Sequence, residues 1–260
     1  MLNIEEKEPY IILPEQRYNL STYEPHTTMQ GDFTFFCDFK LNSVKMEEHY
    51  GICMRPGMHM GTAVKTDKDM AWISFDFWFN RNGEQVFDNI YFPVEETGIS
   101  KNDRYFMFVQ HKLNEKKFCM YLNSEKFNEV YYMEKEYDGI LVDYKETPFN
   151  LGCANYSKTT PKKDRYYSSV TFYNLGLIEN VKYSYDDILS FIEKTKNDEM
   201  TLSKSMDNLV MYFNFNLQNI YKVWDLSGHC NFIQKNMYID DEDVYLTDSD
   251  FAKDYTKQYE

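Results

Sequence analysis

The residues best suited to bind a ligand lie in two short apolar runs on either side of Asn82-Gly83. Both residues of this dipeptide tolerate the positive φ angles of a type I′ turn, so the pattern predicts a two-residue β-hairpin. The turn sets the register, with Trp78 opposite Phe87 and Asp76 opposite Asn89. Directly opposed residues share a face of the sheet. One face of the predicted hairpin therefore carries Trp72, Ser74, Asp76, Trp78, Phe87, Asn89 and Tyr91.

This mixture of aromatic and hydrogen-bonding side chains suits carbohydrate recognition. The apolar face of a sugar ring stacks on an indole or a phenol, while its hydroxyls pair with carboxylate and amide groups. We therefore expect Trp72, Asp76, Trp78, Asn89 and Tyr91 to bind a glycan or glycoconjugate. The alternative is that another layer, an N-terminal segment or a partner subunit, either another protein or a second copy, covers this face, so that its aromatic residues are interfacial packing.

The opposite face of the hairpin is predicted to be core. All of its members except Asp88 are apolar: Ile73, Phe75, Phe77, Phe79, Val86, Asp88, Ile90 and Phe92.

Arg55 and His59 are lower-ranked candidates for the same ligand. The segment that carries them is expected to join a strand to the loop before the Trp72 strand, near the end of the aromatic-polar face. A guanidinium holds the carboxylate of an acidic sugar through a bidentate pair. The alternatives are that Arg55 pairs with one of the many acids and that His59 is a solvated loop residue.

The elements that must position these residues are mostly short strands. Apolar residues recur at period two in runs rich in Phe, Tyr, Val and Ile, and clusters of Asn, Asp, Gly and Pro separate the runs. This pattern favours an all-β, two-sheet antiparallel sandwich over βαβ units. The predicted strands are Tyr10 to Leu13, Phe33 to Phe39, Trp72 to Phe79, Val86 to Phe92, Tyr105 to Gln110, Phe118 to Leu122, Val170 to Leu175 and Leu209 to Phe215.

One short helix is predicted near residues 185–196. Ser184 is a suitable N-cap, acids occupy the first turn, and Ile188, Phe191 and Ile192 form an apolar stripe. We expect this helix to pack across one edge of the sandwich. With no repeat and no Pro- or Gly-rich linker, the simplest organisation is one domain over residues 1–260, with a core from about 30 to 235 and an acidic tail from about 240 to 260.

The motifs of common enzymes are absent from the sequence. There is no HExxH pair, no GxSxG elbow, no GxxxxGK[ST] phosphate loop and no GxGxxG after a strand. We therefore expect a non-catalytic protein. A glycoside hydrolase stays open as a third possibility, because two carboxylates about 5 to 10 Å apart can come from separate strands.

The charge argues against polyanionic partners. The 260 residues include 42 acidic and 28 basic side chains, for a net charge of −14, so we expect neither nucleic acid nor an anionic membrane surface as partner. No run of 18 apolar residues occurs, and the N-terminus lacks a basic segment followed by an apolar stretch. We therefore expect a soluble chain without membrane insertion or signal peptide. Five cysteines without a CxxC pair predict buried thiols.

Seven segments, in a fixed order, carry a resemblance to a known family. They are Gly31 to Phe35, Trp72 to Trp78, Phe118 to Asn123, Pro148 to Gly152, Val170 to Leu175, Val210 to Phe215 and the turn Asp225-Leu226-Ser227-Gly228-His229-Cys230-Asn231. Together they resemble the concanavalin A-like lectin/glucanase superfamily in its laminin G-like form. The resemblance implies a jelly roll of two curved sheets with ligands on the concave face or at a rim.

The same resemblance implies functions for the chain. Many such domains bind glycans, some with calcium, and many are adhesion modules of virions, phage tails or cell surfaces. Asp225 matches a calcium ligand in the late turn, although an Asp there also caps its own turn through a backbone hydrogen bond. We thus expect a lectin-like recognition module. The alternative is a structural or adhesion protein of a virion or cell surface whose aromatic face packs on a partner chain.

Overall fold

The computed structural model describes the backbone of residues 18–21, 31–41, 49–55, 58–65, 70–93, 103–142, 149–151, 153–154, 166–167, 170–197, 208–214, 226–227, 232–235, 238–239 and 242–243. It describes the side chains of residues 31–40, 52, 73–92, 103–142, 172–197, 208–214 and 226–227. The predicted strand from Tyr10 to Leu13 lies outside these residues.

The described chain is built almost entirely from strands. In chain order they are β1 (Tyr18–Ser21), β2 (Phe33–Leu41), β3 (His49–Arg55), β4 (Met58–Lys65), β5 (Met70–Arg81), β6 (Glu84–Pro93), β7 (Arg104–Lys112), β8 (Lys117–Ser124), β9 (Tyr131–Glu136), β10 (Ile140–Leu141), β11 (Phe149–Leu151), β12 (Cys153–Ala154), β13 (Tyr166–Tyr167), β14 (Val170–Glu179), β15 (Leu209–Asn214), β16 (Phe232–Lys235), β17 (Tyr238–Ile239) and β18 (Glu242–Asp243). A 3₁₀ turn spans Leu113–Glu115, and the helix α1 spans Tyr185–Lys196.

Two large antiparallel sheets contain most of the strands. The first has the order β15-β14-β2-β7-β8-β9. The second runs β6-β5-β4-β3-β11-β1-β16, and β10 pairs with β5 beyond the end of β4. Two short pairs, β12 with β13 and β17 with β18, complete the described strands. The predicted fold class, an all-β antiparallel sandwich with one short helix, is confirmed.

The main core lies between the two sheets. Alternate residues of each strand point toward it, as the period-two pattern predicts. The six-stranded sheet contributes Phe33, Phe35, Phe39, Met107, Val109, Phe118, Met120, Leu175, Leu177 and Phe213, among others. The second sheet contributes Ile52, Ile73, Phe75, Phe77, Phe79, Ile90, Phe92 and Leu141.

A second core lies between helix α1 and the outer face of the six-stranded sheet. Ile188 and Ile192 of the helix are buried there. Their partners from the sheet are Phe36, Phe106, Phe108, Cys119, Tyr121, Ile178, Leu209 and Tyr212. The helix spans the residues predicted for it, and Ser184 and Asp187 form a reciprocal capping box at its start. The expected position across a sandwich edge is wrong, because the helix packs on a sheet face.

A buried ion pair between Arg104 and Asp38 lies at one end of this outer face. The Arg104 guanidinium donates to both carboxylate oxygens of Asp38, at 2.8 and 2.7 Å. Asn174 donates to the same carboxylate at 2.9 Å, and the Tyr212 hydroxyl donates to Asn174 at 3.2 Å. The Arg104 guanidinium also lies 4.2 Å from the centre of the Tyr173 ring. The network therefore joins strands β2, β7, β14 and β15.

Two of the five cysteines have described side chains, and both are buried free thiols. Cys37 lies in the core between the sheets and Cys119 under helix α1. Burial raises the pKa of the Cys119 thiol. For these two residues the prediction of buried thiols is confirmed.

Strands β5 and β6 form the hairpin that the sequence predicts. Asn82 and Gly83 both lie in the left-handed region, with φ angles of 53° and 86°. The predicted register is confirmed at the pairs Ser74–Tyr91, Phe75–Ile90, Asp76–Asn89, Trp78–Phe87, Phe79–Val86 and Arg81–Glu84.

Gly83→Ala is expected to lower the free energy of unfolding by about 1–2 kcal/mol, because an L residue is strained in the left-handed region. An added Cβ at this position meets no atom within 4 Å, so the loss is conformational. Urea denaturation of the purified variant measures it. Gly31→Ala is the matched control, because its added Cβ makes only an ordinary contact at 3.5 Å to Asn180. An equal loss in both variants contradicts the explanation.

Candidate functional site

The outer face of the β5–β6 hairpin presents the side chains that the sequence singled out. We call Asp76, Trp78, Phe87, Asn89 and Tyr91 the recognition face. The Phe87 and Tyr91 side chains are 51% and 48% exposed, and the other three are partly buried. The Trp78 and Phe87 rings lie 4.9 Å apart at an interplanar angle of 54°. Two aromatic rings therefore lie beside a carboxylate and an amide on an accessible surface.

The core side of the same hairpin holds the recognition face in place. The Phe75 and Phe77 rings pack on Phe118 of the other sheet, with centroids 5.0 and 4.5 Å apart. Because successive residues of a strand point to opposite faces, burial of these two phenylalanines fixes Asp76 and Trp78 outward. Ser74, predicted on the outer face, is nearly buried and is therefore not part of the accessible surface.

Asp88 is the one acid among the residues predicted for the core side of the hairpin, and it forms an ion pair at the edge of the sandwich. Its carboxylate lies 3.2 Å from the Lys135 ammonium of β9, in the other sheet. It also accepts the backbone N–H of Asn89 at 2.9 Å. The ion pair joins the two sheets beside the recognition face, which accounts for a charged residue in an otherwise apolar row.

Strand β4 is the other neighbour of β5, and it carries His59. The segment expected to be a loop is instead the strand Met58–Lys65. The register places His59 opposite Asp76, which is itself opposite Asn89. The register thus places the His59 backbone next to that of Asp76. The role of His59 in binding stays a prediction.

A row of residues paired from strand to strand runs through Asp76 and crosses the second sheet. From edge to edge its register positions are Gln234, Asn19, Asn150, Met54, His59, Asp76 and Asn89. Six of these seven residues are polar. Gln234, Asn19 and Asn150 could not be predicted as part of this row from sequence, because their strands pair with segments far away in the chain.

The remaining predicted site residues are Arg55, Trp72 and Asp225. Arg55 lies opposite Met58, which lies opposite Phe77, so its register position belongs to the core-side row and not to the row of Asp76. Trp72 lies on β5 opposite Ala63 and Pro93, an even number of residues before Asp76 and Trp78, so its register position is on the same face as theirs. Asp225, the predicted calcium ligand, lies outside the described residues. Its neighbour Leu226 donates its backbone N–H to the Tyr212 carbonyl at 2.7 Å.

A pocket of about 440 Å³ lies at one end of the sandwich. Its described lining consists of Gly31, Leu113, Lys116, Tyr137, Gly139, Ile140 and Leu141. Behind it, the Tyr137 hydroxyl donates to Nε2 of the buried His111 at 2.9 Å. Nδ1–H of His111 donates to the Gly31 carbonyl at 2.5 Å. Burial raises the pKa of Tyr137 to about 12, so its hydroxyl keeps its proton at neutral pH.

His111 is expected to make the stability of the protein depend on pH. Burial lowers its pKa below the ordinary 6.5, with smaller opposing effects from the Gly31 hydrogen bond and the Asp32 charge. The unfolded chain thus takes up a proton that the folded chain does not. The contribution of the neutral His111 to the free energy of unfolding is fully present above pH 6.5. Below pH 6.5, the free energy of unfolding is expected to fall by up to about 1.4 kcal/mol per pH unit. Urea denaturation between pH 7.5 and 5.0 measures the slope.

His111→Gln is the control for this pH dependence. The variant is expected to be less stable at pH 7.5, yet its stability changes less between pH 7.5 and 5.0 because Gln does not titrate. The same slope in both proteins contradicts the assignment to His111.

Within the described residues, no three His, Cys, Asp or Glu side chains are grouped as a metal site. No helix in that part of the chain is long and apolar enough to cross a membrane.

Comparison with solved structures finds several similarities at low identity. A crystal structure described as HCR/D-Sa-GBL1/C matches with 12% identity and a TM-score of 0.43, over 69% of this chain and 39% of that chain. The binding domain of Botulinum neurotoxin DC in complex with rat synaptotagmin II matches with 14% identity and a TM-score of 0.41, over 67% and 37%. The LG1-3 region of the laminin alpha2 chain matches with 13% identity and a TM-score of 0.38, over 62% and 29%.

The chain thus spans less than two fifths of the length of each of these structures. Identities and scores this low assign the chain to no family. No protein-family model and no curated protein matches the sequence.

Proposed function

We propose that this protein is a non-catalytic recognition module that binds a carbohydrate on the recognition face. The observation that carries the proposal is the pairing of Trp78 with Phe87 next to Asp76 with Asn89 on an exposed sheet surface. Adjacent residue pairs along a strand place rings and polar groups within the span of one sugar.

The aromatic half of the face supplies the affinity. The apolar side of a pyranose packs against an aromatic ring and removes apolar surface of both from water. Phe87 and Tyr91 expose about half of their side chains, and Trp78 contacts Phe87 at 4.9 Å. The rings are held by a rigid hairpin, so little conformational entropy is lost when a sugar binds.

The polar half of the face supplies orientation. A carboxylate accepts hydrogen bonds from sugar hydroxyls, and an amide both donates and accepts. Asp76 and Asn89 lie directly opposite each other, and His59 occupies the next position of the same row. The ligand chemistry that fits is a neutral or amino sugar, because Asp76 is the one carboxylate among the five residues of the face.

Trp78→Ala is expected to weaken glycan binding about tenfold or more, because it removes the larger stacking surface. A glycan array followed by calorimetric titration with the best sugar measures the change. Asp76→Asn is expected to alter the order of preferred sugars, because the carboxylate selects among hydroxyl arrangements.

Tyr185→Ala is the matched control, since it removes an exposed aromatic side chain from helix α1 on the other sheet. Circular dichroism verifies the fold of each variant. The proposal fails if a broad array shows no binding, or if Trp78→Ala and Tyr185→Ala bind alike.

The exposed Phe87 favours one alternative, a structural or adhesion protein whose recognition face packs on another chain. Phenylalanine has no hydrogen-bonding group for a sugar, and aromatic residues are enriched where proteins meet. This alternative predicts an assembly that Phe87→Asp dissociates, which light scattering after size exclusion detects. A monomer that binds sugar rejects it.

Three finer assignments remain proposals. Membership of the laminin G-like group rests on the resemblance of sequence segments. Calcium binding rests on Asp225, which the structure does not describe. A glycoside hydrolase needs a second carboxylate near Asp76, about 5 to 10 Å away.

A further inference from the structure

We infer that the pocket beside Tyr137 is a second binding site, for a small carboxylate with an apolar tail. It lies where the 3₁₀ turn Leu113–Glu115 faces the chain between β9 and β10. Its volume of about 440 Å³ is within the range of small-molecule sites. None of its described lining residues belongs to the recognition face, so the inference does not depend on the proposed carbohydrate binding.

The walls of the pocket are mainly apolar. Leu113, Ile140, Leu141 and the Tyr137 ring supply the side chains, and Gly31 and Gly139 complete the described lining. Leu113 and Ile140 are 45% and 72% exposed, so both present apolar surface to water. Covering them with an aliphatic tail removes this apolar surface from water and favours binding.

The described lining contains a single charged side chain, that of Lys116. Its backbone is held on both sides, because its N–H donates to the Leu113 carbonyl at 3.0 Å and its carbonyl accepts from the Tyr137 N–H at 2.9 Å. Lys116 has a φ of 47°, in the left-handed region, which fixes the direction in which the side chain leaves the turn. The backbone that carries the exposed Lys116 side chain is therefore fixed beside an apolar cleft.

The acids that flank the lining residues in sequence have other partners or lie outside the pocket. The Asp32 carboxylate accepts the Leu113 N–H at 2.8 Å and lies 3.7 Å from the Lys182 ammonium. Asp138 lies 3.8 Å from the Arg81 guanidinium, and Glu115 is exposed on the turn. The Tyr137 hydroxyl donates its hydrogen bond to His111 and so does not donate to a ligand. A ligand anion thus meets Lys116 as its counter-ion.

Three simple probes separate the contributions of tail and charge. Hexanoate has both, 1-hexanol has the tail alone, and acetate has the charge alone. Titration of each into protein with ¹³C-labelled Ile and Leu methyl groups reports directly on Ile140, Leu113 and Leu141. Hexanoate is expected to give saturable shifts confined to these methyls and to bind at least fivefold more tightly than either other probe.

Lys116→Asn tests the charge, because Asn tolerates the left-handed conformation at this position. It is expected to weaken hexanoate at least fivefold and to leave 1-hexanol unchanged. Ile140→Asp is expected to weaken both. Lys194→Gln, a charge removal on helix α1, is the matched control and leaves all three probes unchanged. The inference is overturned if hexanoate gives no saturable shift of these methyls, or if Lys116→Asn binds hexanoate like the wild type.

Discussion

Arg104→Met is expected to lower the free energy of unfolding by about 3–5 kcal/mol, because it leaves the Asp38 carboxylate buried without its counter-ion. The Asp38 side chain is 1% exposed and the Arg104 side chain 10%. Both hydrogen bonds of the bidentate pair are lost, together with the stacking of the guanidinium on Tyr173. Chemical denaturation at pH 7 measures the change.

Arg81→Met is the matched control for this prediction. Arg81 also lies near a carboxylate, at 3.8 Å from Asp138, but the two side chains are 47% and 83% exposed. Exposed ion pairs contribute about 1 kcal/mol or less, because water and salt screen them. If the two variants lose similar stability, burial is not what makes the Arg104 pair important.

Phe118→Ala is expected to cost about 3–5 kcal/mol of unfolding free energy, because it opens a cavity between the two sheets. The Phe118 ring is fully buried and lies 4.5 Å from Phe77, 4.7 Å from His111 and 5.0 Å from Phe75, measured between ring centroids. Since Phe75 and Phe77 hold the hairpin on the core, glycan affinity is expected to fall as well. Thermal unfolding and sugar titration measure the two effects.

Phe87→Ala also removes a phenylalanine ring, but from the exposed side of the β5–β6 hairpin that Phe118 supports. Its stability is expected to change by less than about 1 kcal/mol, while sugar binding weakens because one wall of the aromatic pair is lost. A stability loss as large as that of Phe118→Ala contradicts the assignment of Phe87 to an accessible face.

The hairpin could be predicted from sequence because its determinants are local. Asn82-Gly83 selects the turn, and the turn sets the register of every pair on both strands. The division into a core side and an outer side follows from the strand period alone. Only Ser74, which is 4% exposed, departs from this division.

The partners of that hairpin could not be predicted in the same way. Strands β3 and β4 contain glycine, histidine and several methionines, which obscure the alternation that marks a half-buried strand. Strand β1 pairs with β11 and β16, which are far away in the chain. No local rule specifies such a pairing, so the sequence alone could not predict that Asn150, Asn19 and Gln234 lie in the same row as His59.

The position of helix α1 had a signal in the sequence that was missed. Phe106-Met107-Phe108-Val109 and Phe118 to Leu122 are continuous apolar runs without alternation. Such runs are typical of strands buried on both faces. They indicate that a further layer covers the outer side of these strands, and the apolar stripe of the helix is the element that fits.

The helix also determines how many partners one chain can engage through its sheets. Within the described residues it closes the outer side of the six-stranded sheet, whereas the recognition face of the other sheet stays accessible. If the recognition face binds a carbohydrate as proposed, each chain offers one sheet face for that binding. Firm attachment to a surface of repeated sugars requires several chains held side by side, and such linkage raises overall avidity by about 10²–10⁴ without any new contact.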